Sequence, residues 1–353
     1  MNNNNVYIDV HAIQTVPPSN INRDDTGSPK TAQYGGVTRS RVSSQSWKKA
    51  IRTYFLEYGA HSNVGVRSLE IPRYVADKII EIDNNIDSEK ALEMAKEMLK
   101  KAGVKSNKEN KTSALFFIGS QQAENLAQAA IDGINNKAEL QKIMNDNPAI
   151  DIALFGRMVA DDPKLNEDAS SQVAHAISTH VVQTEFDYFT ATDDYSSANN
   201  AGAGMIGTIE YNSSTLYRYA NVAVHELMQQ IESPEATVSA LKLFIEAFIK
   251  SMPTGKSNTF ANQTLPQALL LTVRPDRPVN LVSAFEKPVQ SKKGYVDESI
   301  KKLAKEFSEV SKWIDDPYFT LTVNVQDIGE EQVTLPRLLK RFEEQLINIL
   351  VKM

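Results

Sequence analysis

No cysteine occurs among the 353 residues. A disulfide framework, a cysteine nucleophile and a thiolate metal site are therefore excluded. Long hydrophobic runs are missing too: Leu269-Leu270-Leu271-Thr272-Val273 is strand-sized, far short of a membrane span. The start, Met1-Asn2-Asn3-Asn4-Asn5, has neither the basic first residues nor the apolar core of a secretion signal, so a cytoplasmic protein with no membrane partner is expected. Nor is there a basic surplus. The 38 Lys and Arg are outnumbered by 44 Asp and Glu, a formal net charge of −6 that argues against a generically basic nucleic-acid binder. Distribution matters more than the sum. Between residues 20 and 55, seven bases (Arg23, Lys30, Arg39, Arg41, Lys48, Lys49, Arg52) face two acids, Asp24 and Asp25.

What remains is an ordinary folding composition, 41% hydrophobic and 23% charged, long enough for two or three lobes. Val6 to Ile13 alternates with period two and reads as a half-buried strand, with Val6, Ile8, Val10 and Ala12 on its apolar face. Residues 14–36 are rich in Pro, Asn, Asp and Gly and read as a long binding loop. Helices are predicted from Pro72 to about Ile82, from Ser88 to Ala102 with Gly103 as stop, from Ser120 to Gly133, and over Lys137–Asn145. Residues 56 to about 150 thus look like an inserted helical lobe. Period two returns at Val173–Val182, predicted as one strand. Strands at 208–212 and 215–222 are expected to join at Asn212-Ser213-Ser214. A helix from Ser233-Pro234 to Lys250, a strand near 267–273, a helix near 297–313, a strand near 318–325 and a helix from Thr334 onward complete an α+β order.

The most suggestive stretch runs from Gly35 to Arg52. A glycine pair leads into an extended run carrying Arg39 and Arg41, then a serine corner, then a helix with Lys48, Lys49 and Arg52 on its early turns. Lys48 and Arg52 stand four apart and share a helix side. Ser43, Ser44 or Ser46 can cap the helix, whose free N–H groups and dipole favour an anion. These residues describe a phosphate site, or a capped surface helix with solvated charges.

Competing motifs fail on context. Gly202-Ala203-Gly204-Met205-Ile206-Gly207 has dinucleotide-binding spacing, yet it follows an Asn/Ser-rich loop and precedes the strand-like Thr208-Ile209-Glu210-Tyr211. Thr254-Gly255-Lys256-Ser257 has the end of a P-loop without its first glycine, which leaves Lys256 as a phosphate contact or a plain surface lysine. Asp9 and His11 share a strand face, but no third metal ligand stands at suitable spacing. No cofactor and no metal are expected. Tyr188, Phe189 and Thr190 stand at the root of a non-periodic loop of about 190–207. Aromatics there anchor a core or stack on exposed bases. Met205 and Ile206 at its far end supply an apolar tip able to wedge between bases or to pack on another subunit.

Ile21-Asn22-Arg23-Asp24-Asp25, Gly35-Gly36, the run Arg41 to Ala50, Asp151 to Met158, Ala174-His175-Ala176-Ile177, Phe189-Thr190-Ala191, Tyr217 to Asn221 and Ala284-Phe285-Glu286-Lys287 occur in an order that resembles the CasC family, the repeated backbone subunit of the type I-E CRISPR Cascade complex. The resemblance covers about residues 6–290. It implies a ferredoxin-like (RRM-like) palm in two parts, 1–55 and 171–353. A helical fingers insertion would occupy 56–170 and a protruding thumb loop about 190–207. It further implies a non-catalytic protein whose copies form a helical filament along the CRISPR guide RNA (crRNA), displaying bases to a target DNA strand beside other Cascade subunits.

Carried onto this sequence, Arg23, Lys30, Arg41, Ser43, Gln45, Lys48, Lys49 and Arg52 would hold the guide backbone. Arg157, Met158, Tyr188, Phe189 and Thr190 would lie near a kinked nucleotide, with Met205 and Ile206 on the thumb; Lys256, read from its own loop and not from the resemblance, is counted as a further RNA contact. Related backbone proteins cleave target RNA through a thumb aspartate. Asp193 or Asp194 could serve a metal-dependent version of that chemistry, which is the alternative reading.

Overall fold

The computed structural model describes residues 5–59, 64–191 and 205–352. Strands β1 (Tyr7–Ser19), β2 (Thr31–Tyr34) and β3 (Val37–Val42) precede helix α1 (Ser44–Tyr58). Next come β4 (Gly65–Ser68), α2 (Ile71–Ile82), α3 (Ser88–Ala102), β5 (Phe116–Gly119), α4 (Ser120–Ile131), α5 (Lys137–Asn145) and α6 (Ile150–Phe155). Short strands β6 (Ser171–Val173) and β7 (Ala176–Ser178) lead into β8 (Glu185–Ala191) and the long β9 (Met205–Ala223). After α7 (Val224–Ile231), α8 (Pro234–Lys250) and α9 (Ser257–Phe260) come β10 (Ala268–Arg274), α10 (Val296–Val310), β11 (Phe319–Val323), β12 (Glu330–Glu331) and α11 (Leu335–Leu350). The mixed α+β class is as expected.

The chain divides into two compact units. The first holds residues 1–51, 173–221 and 245–345, the second 52–172, 222–244 and 346–353. In the first, strands run in the order β12-β11-β10-β1-β9-β7-β3-β2, with β6 and β8 also pairing to β9. β10 reads Ala-Leu-Leu-Leu-Thr-Val-Arg and is buried along its whole length, as a strand covered on both faces must be. β1 differs from its half-buried expectation for the same reason. Both of its faces are covered, and its polar positions survive because each finds partners.

Asp9 accepts from Tyr219 Oη at 2.7 Å, from Arg274 Nε at 3.1 Å and from the Val279 amide. His11 Nδ1 meets Tyr217 Oη at 2.9 Å, and its ring stacks on Tyr217 and Tyr219. Below this face lies a core that includes Ile13, Leu270, Phe285 and Leu303. On the opposite face Arg218 lies between the rings of Trp47 and Phe248, at 3.6 and 4.4 Å. It donates to Gln14 Oε1 at 2.5 Å and to the Phe248 carbonyl.

Asp9 and His11 carry opposed pH dependences. Burial outweighs Tyr219 and Arg274 and raises the Asp9 carboxyl from 3.8 to about 6. Burial, then Arg274, lowers His11 from 6.5 to about 3. Between about pH 6 and pH 4 the unfolded chain protonates His11 and the folded chain does not, so stability falls on acidification by about 1.4 kcal/mol per pH unit. Asp9 does the reverse over the same window, because only the folded chain holds its proton there. The two slopes cancel. Relative to the parent chain, Asp9→Asn is expected to lose stability on acidification from pH 6 to pH 4, and His11→Gln to gain it. Urea titrations across that range would expose parallel curves if the cancellation did not exist.

Several strands depart from the sequence expectation. Residues 14–36 contain the end of β1, strand β2 and its turn into β3 at Gly35 and Gly36, both with positive φ. A Cβ on Gly35 would come within 1.8 Å of the Glu286 carbonyl oxygen, so that turn admits only glycine. In place of one strand over 173–182 there are two short ones, Ser171–Val173 and Ala176–Ser178. β9 passes straight through Asn212-Ser213-Ser214 without turning.

The second unit packs α2, α3, α4 and α5 around the β4–β5 pair, with a core containing Val75, Ala95, Leu99, Leu126, Leu140 and Leu165. Helix α3 spans its expected residues because both ends carry signals. Asp87 caps its first turn by accepting from the Lys90 amide, and Gly103 ends it in the left-handed conformation at φ 110°.

Candidate nucleic-acid interface

The basic corner of the first unit is built on the amino end of α1. Its first turn contains no acid. Ser43 is the cap: its hydroxyl accepts from the Ser46 amide at 3.3 Å, and its own amide donates to Asn22 Oδ1 at 2.8 Å. The Ser44 amide donates to His175 Nδ1 at 3.1 Å, which fixes that imidazole as a neutral acceptor at Nδ1. Its pKa is lowered by partial burial and then by the fields of Arg41 and Lys30, so these two cations stand close to the helix end. Asn22 and His175 were not among the residues singled out as RNA contacts. Their role depends on pairings across 21 and 131 residues, which no local pattern signals.

Arg39 and Arg41 stand two apart in β3, the spacing of one strand face, so what separates them is how far each is covered. Arg39 points inward, fully buried, and donates to the carbonyls of Ser178 and Phe285 at 2.9 and 2.8 Å. Arg41 is half-buried and ties Nε to the Thr31 carbonyl at 3.1 Å. The loop that presents Arg23 and Lys30 is held by Asp24, which accepts from the Thr26 hydroxyl and amide and from the Ser28 amide. One of the two acids in the basic segment is therefore used internally. Arg23, Gln45 and Lys49 are exposed, whereas Lys30 and Lys48 are half-buried. Burial lowers the Lys48 ammonium. Lys256 follows Gly255, whose Cα lies against Ile21 so closely that a Cβ would be 2.2 Å from the Ile21 carbonyl oxygen. That contact brings the Lys256 loop alongside the Asn22–Arg23 turn.

From the same unit projects a two-stranded arm, β8 against β9, registered Tyr188↔Thr208, Phe189↔Gly207, Thr190↔Ile206 and Ala191↔Met205. Cross-strand partners share a face. Phe186, Tyr188 and Ile206 accordingly line one face and are 65%, 64% and 61% exposed. Phe189 lies on the other, with its ring on Gly207, where a Cβ would be 2.4 Å from Phe189 Cζ. The outer part of the expected thumb, residues 192–204 with Asp193 and Asp194, lies outside the described residues, as does the side chain of Met205. The root of the thumb is strand, not loop.

Three expected contacts fall in the second unit, and two of them do other work. Arg52 pairs with buried Asp151 at 2.8 Å, donates to the Gly65 carbonyl and lies over the Phe117 ring. Its charge already has a counter-ion. Arg157 is buried and donates to the carbonyls of Leu165, Phe117 and Met144 and to Asn145 Oδ1, at 2.7 to 3.3 Å. Burial pushes it down to about 10. It acts as a clamp rather than a phosphate ligand. Met158 beside it is 85% exposed and free to meet a ligand. Arg157→Gln is expected to cost about 2–3 kcal/mol, because four acceptors lose their donor. A chemical-denaturation midpoint equal to that of the parent would contradict the clamp.

Solved structures share this α+β fold. One is a chain described as "CRISPR RNA-guided surveillance complex, pre-nicking", 31% identical, with TM-score 0.87, covering 96% of this chain and all of the other. Another, described as "CRISPR RNA-guided surveillance complex", is 27% identical with TM-score 0.75 and covers 96% and 99%. No curated protein matches. Residues 8–345 match the CT1975-like protein family (Cas_CT1975), and the chain belongs to that family. The resemblance read from the sequence is borne out at family level.

Proposed function

We propose that the chain is a non-catalytic guide-RNA-binding subunit of a CRISPR RNA-guided surveillance complex of the type I-E Cascade kind. Its copies line the crRNA and display the guide bases to target DNA beside other subunits. The observation that carries this reading is the near full-length likeness to chains of RNA-guided surveillance complexes. The site is consistent with it. Arg23, Lys30, Arg41 and Lys49 surround a capped helix end suited to phosphates, which carry no sequence information, as a subunit serving many guides requires. The exposed face of the β8–β9 arm offers aromatics for a displaced base. The palm is read as ferredoxin-like, supported by the strand order β10-β1-β9-β7 joined as β1-α1-β7-β9-α8-β10.

Light scattering on the protein mixed with single-stranded RNAs of increasing length tests the filament. Mass is expected to climb in steps with RNA length. A single fixed mass on every RNA would favour a stand-alone binder. Labelled complementary RNA incubated with the assembled complex and a divalent metal is expected to stay intact. Regularly spaced cuts, lost on Asp193→Ala or Asp194→Ala, would overturn the non-catalytic assignment.

A further inference from the structure

Two features of the first unit play no part in the RNA site. Trp313 follows α10 and is 86% exposed, whereas the other tryptophan, Trp47, is buried. Tyr318, five residues on, is half exposed at 49%. Between them stand Asp315 and Asp316, which form no ion pair among the described residues. Tryptophan is enriched among the residues that dominate the energetics of contact sites. The second feature is an apolar groove of about 230 Å³ lined by Ile249, Leu265, Leu269, Val323 and Leu335, with Lys250 on its wall. Leu265 is 60% exposed. An apolar cavity of about 150 Å³ already accepts a benzene ring, so this one is roomy enough for an indole.

The position of the two features relative to each other identifies the occupant. β10 and β11 pair antiparallel, with Leu269 opposite Val323 at one end and Val273 opposite Phe319 at the other, about 13 Å away. The groove contains the Leu269–Val323 end. The Trp313 segment is tied to the other end: the Tyr318 amide donates to the Val273 carbonyl at 2.8 Å, and Phe307 of α10 lies under the Arg274 guanidinium. A knob and a hole at opposite ends of one sheet cannot meet within one chain. They can meet between copies stacked head to tail, the arrangement that gives an open helical array. Charge agrees in sign, since the carboxylates beside the knob would approach Lys250 on the groove wall, which also holds Glu246 one turn away.

We propose that Trp313 of one copy inserts into the Ile249–Leu265–Leu335 groove of the next, forming a heterologous contact between neighbouring copies. This rests on the reading that several copies line one RNA, and it deepens that reading by naming the surfaces that touch. Trp313→Ala is expected to weaken association between neighbours by about tenfold or more while leaving the fold intact.

The decisive experiment uses the absence of cysteine. The variant Trp313→Cys with Leu265→Cys is assembled on long guide RNA and mildly oxidised. A ladder of covalent multimers is expected, with at most dimers from either single variant, because only close Cβ pairs can bridge. Assemblies that form on RNA without a ladder overturn the contact and leave the RNA reading standing. A ladder formed equally well without RNA supports the contact and counts against the RNA-lined array. Dimers alone from the double variant exclude a head-to-tail chain, and a groove filled by a different subunit would give no ladder.

Discussion

Replacing Lys30 and Arg41 together with alanine is expected to weaken binding of single-stranded RNA of any sequence by on the order of 100-fold. On the proposed reading each side chain would contribute one charge-assisted hydrogen bond to a phosphate, together about 3 kcal/mol. The loss should be uniform across sequences, because phosphate contacts position a nucleic acid without reading it. Two fewer neutralised phosphates also flatten the dependence of log affinity on log salt by about 1.4. The structure shows why this pair is preferred over the helix pair Lys48 and Arg52. Lys30 and Arg41 are the cations whose fields reach His175 at the helix end, while Arg52 is held by Asp151. Arg52→Lys serves as the contrast and should leave the salt slope unchanged. An undiminished slope in the Lys30/Arg41 variant would remove the β3 corner from the RNA path.

Arg218→Ala is expected to be the most destabilising single change in the first unit, at about 3–5 kcal/mol. The guanidinium is fully buried with no carboxylate beside it among the described residues, and burial pushes its pKa down. Two neutral acceptors and two aromatic faces hold it. A desolvated cation over an aromatic face contributes about 2 kcal/mol. Truncation adds the unpaired Gln14 and Phe248 oxygens and a cavity next to Trp47. Trp47 lies four residues beyond the Ser43 cap, so the damage reaches the phosphate corner through the core. Denaturation should show a lower midpoint with an unchanged slope, and Trp47 fluorescence should shift to the red. A variant as stable as the parent would mean that this buried cation is dispensable.

Period and punctuation made much of the second unit legible. The helix over Ser88–Ala102 carries its own cap and stop, and Lys137–Asn145 is likewise bounded by Asn136 and Asp146. Local signals failed where burial is decided by distant partners. Strand β2 of the hairpin reads as loop because it is a polar edge strand followed by Gly35-Gly36. The hairpin's order comes from Arg39 reaching Phe285 across 246 residues. Asn212-Ser213-Ser214 has turn composition, yet Asn212 and Ser214 are buried in β9, and Asn212 accepts from the Ser40 hydroxyl.

The candidate site shows the same division. Arg39 and Arg41 share a strand face by their spacing, and only the fold tells that Arg39 is fully buried while Arg41 is half-buried. Arg157 matched a family position, and its four acceptors, drawn from residues 117 to 165, could not be read from its neighbours in sequence.

The central claim is that this corner grips guide RNA in many copies. It is tested most directly by purifying the protein from cells that carry a CRISPR array and sequencing whatever nucleic acid accompanies it. The account predicts bound RNA containing CRISPR repeat sequence, lost from the Lys30/Arg41 variant. Protein free of RNA, or carrying RNA without repeats at the same level in the parent and the variant, would contradict it.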